Sequence, residues 1–390
     1  TLFSPNHVPD LYEAFGMPEF DSLYLKYEKD KSIPKQTIGA QDLFQALLKE
    51  RAETGRIYIM NLDHCNTHSS FKDKVYMSNL CQEITLPTTP VQHIDDKEGE
   101  IALCILSAIN LGLLTDMNEL EELCDLSVRA LDEIIDYQEY PVEAAKISAQ
   151  SRRSLGIGYI GLAHYLAKNQ VKYEDKKAWK LVDKITEAFQ FYLLKASNNL
   201  AKEKTKCLWF EKTKYSDGIL PIDTYKKELD EIVSRELTYD WEWLRKEIKE
   251  HGLRHSTLSA QMPSESSSVV SNATNGVEPP RDYLSVKKSK KGPLKQIVPD
   301  YNRLKNYYTL LWDMKGNEGY INIIAVMQKY FDQAISGNWS YNPENYKDGE
   351  VPLSVMAQDL LTTYKLGWKT AYYQNTYDAK SDVDEPVHPV

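Results

Sequence analysis

The chain has 390 residues, of which 42% are hydrophobic and 27% are charged, so it can bury a large core and is not expected to be disordered. Its formal net charge of −10 argues against a general polyanion-binding protein, and we expect no nucleic-acid partner. No apolar run approaches the ~20 residues that a membrane helix needs, and residues 1–5 do not resemble a secretory signal. We therefore expect a cytoplasmic protein with no membrane partner.

The five cysteines are sparse, odd in number and never spaced as C-x-x-C. This pattern argues against a disulfide scaffold and removes the commonest zinc and redox motifs. Cysteine chemistry in this chain must therefore use single thiols that the fold brings together. The cysteines are Cys65, Cys81, Cys104, Cys124 and Cys207.

The first third of the chain contains few regular patterns. Residues 41–53 predict a helix that Gly55 ends, and residues 56–61 predict a short buried strand. Residues 75–87 are a mixed polar stretch that ends at a proline, which predicts a loop. Residues 101–106 are apolar throughout, as expected for a strand that is covered on both faces.

Residues 116–250 form a helix-rich segment. Asp116 can cap a helix, since Glu119 follows three positions later. Cys124 lies on the apolar face of this helix and is interpreted as a small core residue. The members of that face are Leu120, Leu123, Cys124, Leu131 and Ile134. A second, long amphipathic helix is marked by Leu181, Ile185, Phe189, Leu193, Ala196 and Leu200.

The last third mixes short apolar runs with further helical patterns. Pro352 suits a helix start and Gly367 a helix end, and residues 369–374 predict a last strand. The basic run 287–292 predicts the solvated tip of a hairpin rather than a nucleic-acid site. Helical spacing also marks Tyr320, Ile324, Met327, Phe331 and Ile335. Helices and short buried strands mixed along one chain predict an α/β barrel or a layered α/β domain.

The segment from Asn79 to Glu83 carries the most chemistry. It offers an amide, a thiol and a carboxylate at alternate positions. If the segment is extended, Asn79, Cys81 and Glu83 face one side, and Leu80 and Gln82 the other. A hydrogen-bonding amide, a sulfur reagent and a general base would then share one pocket. From the spacing alone, a polar loop with one buried cysteine is the commoner structure.

Three other patterns have both a chemical and a structural interpretation. The serines of residues 263–268 could form an anion site for a diphosphate at a helix start, or a solvated loop. The pair Tyr372-Tyr373 could arise by chance among 26 tyrosines, and its rings can stack only on irregular backbone. Residues 63–68 offer metal-ligand side chains without zinc spacing, so we interpret them as a hydrogen-bonded structural cluster and expect no metal.

Residues 78–84 resemble the finger loop of class I ribonucleotide reductase large subunits. The resemblance runs in order from Thr1 to about Tyr377, through residues 56–68, 152–158, 241–263, 271–276, 278–281 and 372–375. It implies the C-terminal half of a ten-stranded α/β barrel over residues 1–371. That half would contain a finger loop at about 75–90 and helical insertions. A radical-relay end and a flexible tail would follow at 372–390.

The resemblance also assigns roles to individual residues. Cys81 would become a thiyl radical that abstracts the ribose 3′ hydrogen. Glu83 would deprotonate the 3′ hydroxyl, and Asn79 would hydrogen-bond the sugar. Cys104, which by pattern alone is a small residue in an apolar strand, would be one of two cysteines that reduce the 2′ carbon and end as a disulfide.

Two further groups of residues receive roles in the same way. Tyr372 and Tyr373 would pass the radical to Cys81. The substrate phosphates would be bound by Ser264, Glu265, Ser266 and Ser267. Because a carboxylate repels phosphate, we expect the Glu265 side chain to point away and its backbone N–H to contribute.

The implied activity is the radical reduction of ribonucleoside diphosphates to deoxyribonucleotides. The N-terminal half of the large subunit, as a separate chain, would supply the second reducing cysteine and the effector sites. A small subunit would supply a di-metal centre and tyrosyl radical, so this chain itself binds no cofactor. Thioredoxin or glutaredoxin would be the external reductant, although residues 378–390 lack the usual cysteine pair. The alternative is a catalytically silent remnant that only binds and regulates the small subunit.

Overall fold

A computed structural model describes residues 1–289 and 292–378 of the chain. Its helices are α1 (Pro9–Glu13), α2 (Phe20–Lys29), α3 (Ala40–Thr54), α4 (Leu62–Thr67), α5 (Met117–Tyr137), α6 (Glu143–Arg152), α7 (Leu162–Lys168), α8 (Lys176–Glu203), α9 (Pro221–Thr224), α10 (Trp241–His251), α11 (Glu265–Val270), α12 (Tyr301–Leu304), α13 (Glu318–Gln328) and α14 (Leu353–Lys365). Its strands are β1 (Leu2–Phe3), β2 (Lys35–Gln36), β3 (Ile59–Met60), β4 (Ile105–Asn110), β5 (Leu155–Ile160), β6 (Leu284–Ser289), β7 (Gly292–Ile297), β8 (Trp339–Tyr341), β9 (Thr370–Ala371) and β10 (Gln374–Thr376).

Parallel extended segments lie side by side and form one wall of a barrel. β4 pairs with β5 over six residues. Residues 257–261 lie along the other edge of β5, where the Ile157 N–H donates to the Leu258 carbonyl at 2.8 Å. Residues 333–337 come next, and then the segment with β9 and β10, which is joined through the Tyr372 N–H and the Gly337 carbonyl at 2.8 Å. Helices connect these segments, as parallel strands require.

The helical layer over this wall follows from the apolar periodicity of its helices. The Asp116 side chain caps α5 by accepting hydrogen bonds from the N–H groups of Asn118 and Glu119. α5 packs against α8, whose 28 residues cross the core, and Cys124 is completely buried between them. The predicted face of α5 contains one error: Ile134 is exposed and Ile135 is buried. Ile135 is four positions after Leu131 and therefore lies on the same side of the helix.

The ends of three other helices agree with the sequence or correct it. α3 ends at Gly55, which adopts the left-handed conformation predicted for a helix C-terminus. Pro352 precedes α14 and Gly367 follows it, as predicted. Phe331 and Ile335 are buried but lie beyond the end of α13, so the predicted helix was too long.

The predicted strands at 56–61 and 101–106 are only partly correct. Only Ile59 and Met60 form a strand at the first position, paired antiparallel with β9. At the second, the strand begins at Ile105 and continues to Asn110. The prediction that it is covered on both faces is wrong, because Leu106 is 43% exposed. Within the part of the chain that the structure describes, β4 is paired along one edge only.

The last predicted strand, 369–374, is interrupted at Tyr372 and Tyr373, which separate β9 from β10. The predicted hairpin is confirmed as β6 and β7, while its tip residues Lys290 and Lys291 lie outside the described residues. Residues 379–390 of the predicted tail also lie outside them. Across residues 1–289 and 292–378, no helix is both long and apolar enough to cross a membrane.

Candidate active site

The loop that carries Cys81 is folded back on itself. The Asn79 side-chain oxygen accepts the Ile84 N–H at 3.1 Å, and Gln82 has a φ of +65°. Because that conformation breaks an extended chain, the predicted alternation of side chains is wrong. Leu80 is 76% exposed, whereas Gln82, predicted on the same side, is buried. The loop nevertheless brings the amide, thiol and carboxylate together.

Glu83 is the buried carboxylate of this loop. Burial raises its pKa, and hydrogen bonds from the side chains of Asn79 and Ser336 oppose that rise. The Ser336 hydroxyl donates to a Glu83 carboxylate oxygen at 3.2 Å. Burial also raises the pKa of the Cys81 thiol, with a further rise from the negative charge of Glu83. A carboxyl group with a raised pKa beside a half-buried thiol is an arrangement suited to proton transfer.

The loop is held in place by residues 333–336, which sequence reasoning missed. The Ala334 N–H donates to the Glu83 carbonyl at 3.0 Å, and the Thr85 N–H donates to the Gln333 side-chain oxygen at 3.3 Å. The Ser336 hydroxyl also donates to the Cys81 carbonyl. About 250 positions separate the partners of these bonds. No local sequence pattern could therefore have identified them.

Cys104 lies just before β4 and faces the same site. The Gln333 amide nitrogen lies 3.6 Å from its sulfur. Burial raises the pKa of the Cys104 thiol, and the Glu83 charge adds to that rise, as it does for Cys81. Gly156 leaves room for this sulfur, because a Cβ atom at that position would lie 2.8 Å from it. The structure therefore brings both predicted thiols close to one carboxylate.

Tyr372 and Tyr373 reach Cys81 from the interrupted strand. The Tyr372 hydroxyl lies 3.5 Å from the Cys81 sulfur, within hydrogen-bonding distance. The centroids of the two tyrosine rings are 4.0 Å apart. Tyr58, which the sequence did not single out, packs against both rings with centroid distances of 4.7 and 5.4 Å. Burial raises the pKa of Tyr58 to about 12, and its ring lies against the tyrosine pair that reaches the thiol.

The predicted phosphate residues lie at the start of the short helix α11. Ser264 is buried and shares a 2.6 Å hydrogen bond with Ser268, while Ser266 and Ser267 are exposed. Asn275 binds the Glu265 carboxylate and also accepts the Glu265 N–H at 2.9 Å. The expectation that this N–H is available to a phosphate is therefore wrong. The exposed side chains of Ser266 and Ser267 remain at the surface of this turn.

The cluster at residues 63–68 has structural partners. One ring nitrogen of His64 bonds to the Trp368 carbonyl at 2.7 Å. Both ring nitrogens of His68 are bonded, one to Thr224 and the other to the Gln328 carbonyl. Cys65 is buried against the Lys369 carbonyl. Among the described residues, the only three-residue group with metal-ligand geometry is Glu247, Glu250 and His251, on a largely exposed helix surface far along the chain from this cluster.

Comparison with known proteins gives a consistent result. Residues 1–374 match the family model described as "Ribonucleotide reductase, barrel domain". The chain is 58% identical over 392 residues to the ribonucleoside-diphosphate reductase alpha subunit of Haemophilus influenzae, covering 99% of this chain and 52% of that protein. It is 57% identical over 394 residues to the ribonucleoside-diphosphate reductase 1 alpha subunit of Escherichia coli, covering 100% and 52%. The phage T4 alpha subunit is 42% identical over 397 residues, covering 99% and 52%.

The chain therefore spans about half the length of the curated relatives that it matches. The match covers the parallel strands, the loop with Cys81 and the interrupted strand with both tyrosines. By this match and by its α/β architecture, the chain belongs to the ribonucleotide reductase alpha-subunit family.

Proposed function

We propose that this chain forms the part of a class I ribonucleotide reductase in which the substrate radical is generated, and that the complete enzyme reduces ribonucleoside diphosphates to 2′-deoxyribonucleoside diphosphates. The observation that carries the proposal is the 3.5 Å contact between the Tyr372 hydroxyl and the Cys81 sulfur. The close pair of tyrosine rings extends this contact toward the outside of the barrel, since Tyr373 is less buried than Tyr372.

The first step moves a hydrogen atom along this contact. The Tyr372 phenoxyl oxygen takes hydrogen from the Cys81 S–H group, so an O–H bond forms and an S–H bond breaks. One electron and one proton move together, which leaves a phenol at Tyr372 and a thiyl radical at Cys81. The raised pKa values of both groups favour this path, because neither is ionised at neutral pH. The oxidising equivalent would come from a small subunit with a metal-derived radical.

The next steps would use the groups around Cys81. The thiyl radical takes the 3′ hydrogen of the ribose, Glu83 accepts the 3′-hydroxyl proton, and Asn79 hydrogen-bonds the sugar. The 2′ C–O bond then breaks and the hydroxyl leaves as water. Cys104 and a second thiol supply two electrons and two protons, one proton to the departing water and one to the 2′ carbon, and become a disulfide. The Cys81 S–H group then returns its hydrogen to the 3′ carbon, which restores the thiyl radical. Burial of Glu83 supports this assignment, since radical intermediates need a water-poor site.

The substrate diphosphate would bind beside α11. Ser266 and Ser267 present exposed hydroxyls there, and Ser264 supports them from the buried side. Asn275 fixes the turn and holds the Glu265 carboxylate. Glu265 would therefore stabilise the loop through its bonds with Asn275, and its N–H would not bind phosphate.

The second thiol would come from the N-terminal half of the subunit, either covalently joined or as a separate chain. Cys65, Cys124 and Cys207 are buried elsewhere and cannot meet Cys104 without unfolding. The one-sided pairing of β4 and the exposed Leu106 would suit a complementary half-barrel. Thioredoxin or glutaredoxin would re-reduce the disulfide. All five thiols are free, which suits the reducing cytoplasm.

The experiment compares Cys81→Ser and Tyr372→Phe with the unmodified chain in a complete enzyme, assembled with the N-terminal half and the small subunit. Both variants should fold and assemble but form no deoxynucleotide, because serine and phenylalanine cannot form the required radicals. Cys207→Ser is the matched control, since this thiol lies outside the proposed site, and it should retain activity. Turnover by Cys81→Ser or Tyr372→Phe would refute the proposal.

The same assay distinguishes the proposal from the alternative of a catalytically silent remnant. Such a protein would bind the small subunit but would show no dependence of deoxynucleotide formation on Cys81. The close approach of Tyr372, Cys81 and Glu83 favours the catalytic reading, because binding alone does not require those groups to meet.

A further inference from the structure

Arg51 is a completely buried arginine in the last turn of α3. Its guanidinium donates hydrogen bonds to three backbone carbonyls, those of Ile57, Tyr372 and Tyr373. The distances to the two tyrosine carbonyls are 2.9 and 3.3 Å. The guanidinium carbon also lies 4.5 Å from the centre of the Trp339 ring. One side chain therefore binds the backbone of both residues in the proposed radical path.

This contact explains how the rings of two neighbouring tyrosines can lie against each other. In a regular strand, successive carbonyls and successive side chains point in opposite directions. Here the carbonyls of Tyr372 and Tyr373 turn toward the same guanidinium, and the strand is interrupted between β9 and β10. The two rings consequently lie side by side, with centroids 4.0 Å apart. Arg51 thus stabilises the irregular backbone that this close ring pair requires.

The burial of this charged side chain costs more free energy than a purely structural contact would require. The ionisable neighbours that act on Arg51 among the described residues are the phenols of Tyr341 and Tyr58, not carboxylates. Burial lowers its pKa to about 10, so it remains charged at neutral pH. A buried cation without a counter-ion is costly, and a well-packed apolar side chain would often be more stable. Such departures from the usual rules occur mainly at functional sites.

We propose that Arg51 is a positioning residue for radical transfer, which fixes the rings of Tyr372 and Tyr373 against each other and keeps the Tyr372 hydroxyl against Cys81. This inference rests on the proposed function. It adds to that function a residue that touches neither the substrate nor the phenol groups and acts only through the backbone. Its planar fork suits two diverging carbonyls, which lysine can satisfy only in part.

The test uses the complete enzyme with 3-aminotyrosine at position 372, an easily oxidised analogue whose radical is measured by electron paramagnetic resonance. Arg51→Met should lower the radical yield by about tenfold or more, the order expected when a reacting group is misplaced. Arg51→Lys should give an intermediate yield, because it keeps the cation but not the fork. Lys49→Met is the control on the same helix, since the Lys49 side chain is 72% exposed, and it should not change the yield.

A second readout separates positioning from loss of stability. Hydrogen exchange of residues 370–376 should increase in Arg51→Met and less in Arg51→Lys, with unchanged exchange in α5 and α8. Arg235→Lys alters a partly buried arginine, which pairs with the buried carboxylates of Asp183 and Glu187. It should leave the radical yield unchanged at an equal loss of thermal stability.

A folded Arg51→Met variant with the unmodified radical yield would overturn the inference, and so would equal losses of yield in Arg51→Met and Arg235→Lys. Absence of any radical in the enzyme with Arg51 intact would instead overturn the proposed function and the relay role with it. In that case, exchange of residues 370–376 still reports whether Arg51 orders this segment.

Discussion

Buried ionisable groups have different partners in two regions of the molecule. One region is the helical layer of α5 and α8, and the other is the set of irregular segments around Cys81. In the helical layer, the buried Asp132 accepts hydrogen bonds from Arg153 at 2.6 Å and Arg254 at 3.1 Å. These partners and His255 hold the pKa of Asp132 well below its usual range. Near Cys81, the buried Glu83 has a raised pKa, and the buried Arg51 faces carbonyls instead of a carboxylate.

The difference shows where the molecule is optimised for stability and where for chemistry. Paired charges and long regular helices stabilise the first region, because each buried group has a partner of opposite charge. In the second region, the pKa of a buried carboxyl group is raised and a buried arginine faces carbonyls, and the backbone departs from regular structure at Gln82 and at the tyrosine pair. Substitutions should therefore separate stability from activity according to the region in which they lie.

Glu83→Gln should give the largest effect on activity, a loss of about 10² to 10⁴-fold, because a general base usually contributes that much. It should not destabilise the protein at neutral pH. The folded-state pKa of Glu83 is raised, so its contribution to stability is present below the unfolded pKa and is lost as pH rises through the folded pKa. The thermal midpoint of the variant should therefore equal or exceed that of the unmodified protein at pH 7.5, with the difference shrinking toward pH 4.

The measurements are deoxynucleotide formation in the complete enzyme and thermal unfolding at several pH values. Asp136→Asn is a suitable control, since this half-exposed carboxylate pairs with Arg153 in the helical layer, and it should lose stability but little activity. If both variants lost stability and activity together, the contrast between the two regions would be wrong.

Leu193→Ala should show the opposite behaviour in the helical layer. Leu193 is completely buried in α8, and removal of such a side chain costs about 2–5 kcal/mol. Denaturant unfolding should show this loss, while the specific activity of the folded fraction should change by less than about twofold, since the substitution is remote from the reacting groups. Leu361→Ala, at an exposed leucine on α14, is the control and should unfold like the unmodified protein.

The two regions also differ in how far sequence could predict them. α3, α5 and α8 follow from apolar periodicity and end signals, because those signals lie within one helix. The strand at 101–106 was misplaced, since an apolar run does not reveal whether a neighbouring strand covers it. The end of α13 was missed because buried residues at helical spacing continue after the helix stops.

For the site, resemblance identified Cys81, Glu83 and the tyrosines, and the structure then supplied their mutual geometry. Residue spacing placed Cys81 and Glu83 in one pocket by assuming the alternating side chains of an extended chain. That assumption is wrong, since the positive φ of Gln82 breaks the alternation. Gln333 and Arg51 were missed altogether. Each acts on residues far away in sequence, so neither leaves a local pattern.

Gly156→Ala should give a smaller effect, directed at Cys104, the proposed reducing thiol. A Cβ atom at this position would lie 2.6 Å from a Leu106 methyl group and 2.8 Å from the Cys104 sulfur, so one of them must move. We expect a loss of about 1–3 kcal/mol in stability. Disulfide formation at Cys104 should slow by about tenfold, as an equivalent misplacement would predict, while radical formation at position 372 should be unaffected.

Thiol titration after one turnover measures disulfide formation, and the electron paramagnetic resonance assay with 3-aminotyrosine at position 372 measures radical formation. Gly316→Ala is the matched control, because the space around that glycine is open. A Gly156→Ala enzyme with normal disulfide formation would show that Cys104 does not need the space that Gly156 provides.

The smallest effect is expected for Asn275→Ala, which tests whether the serine turn is preformed. Asn275 accepts the Glu265 N–H at 2.9 Å and a bond from Ser264 at 3.2 Å, so its loss leaves the first turn of α11 less ordered. Because the turn would then have to become ordered when the diphosphate binds, KM should rise by about fivefold with little change in kcat. Asn169→Ala removes an exposed amide that bonds only within its own helix end, and it should leave KM unchanged. Steady-state kinetics with a ribonucleoside diphosphate measures both variants. A fall in kcat at constant KM for Asn275→Ala would show that this residue acts with the reacting groups around Cys81 instead of with the substrate phosphates.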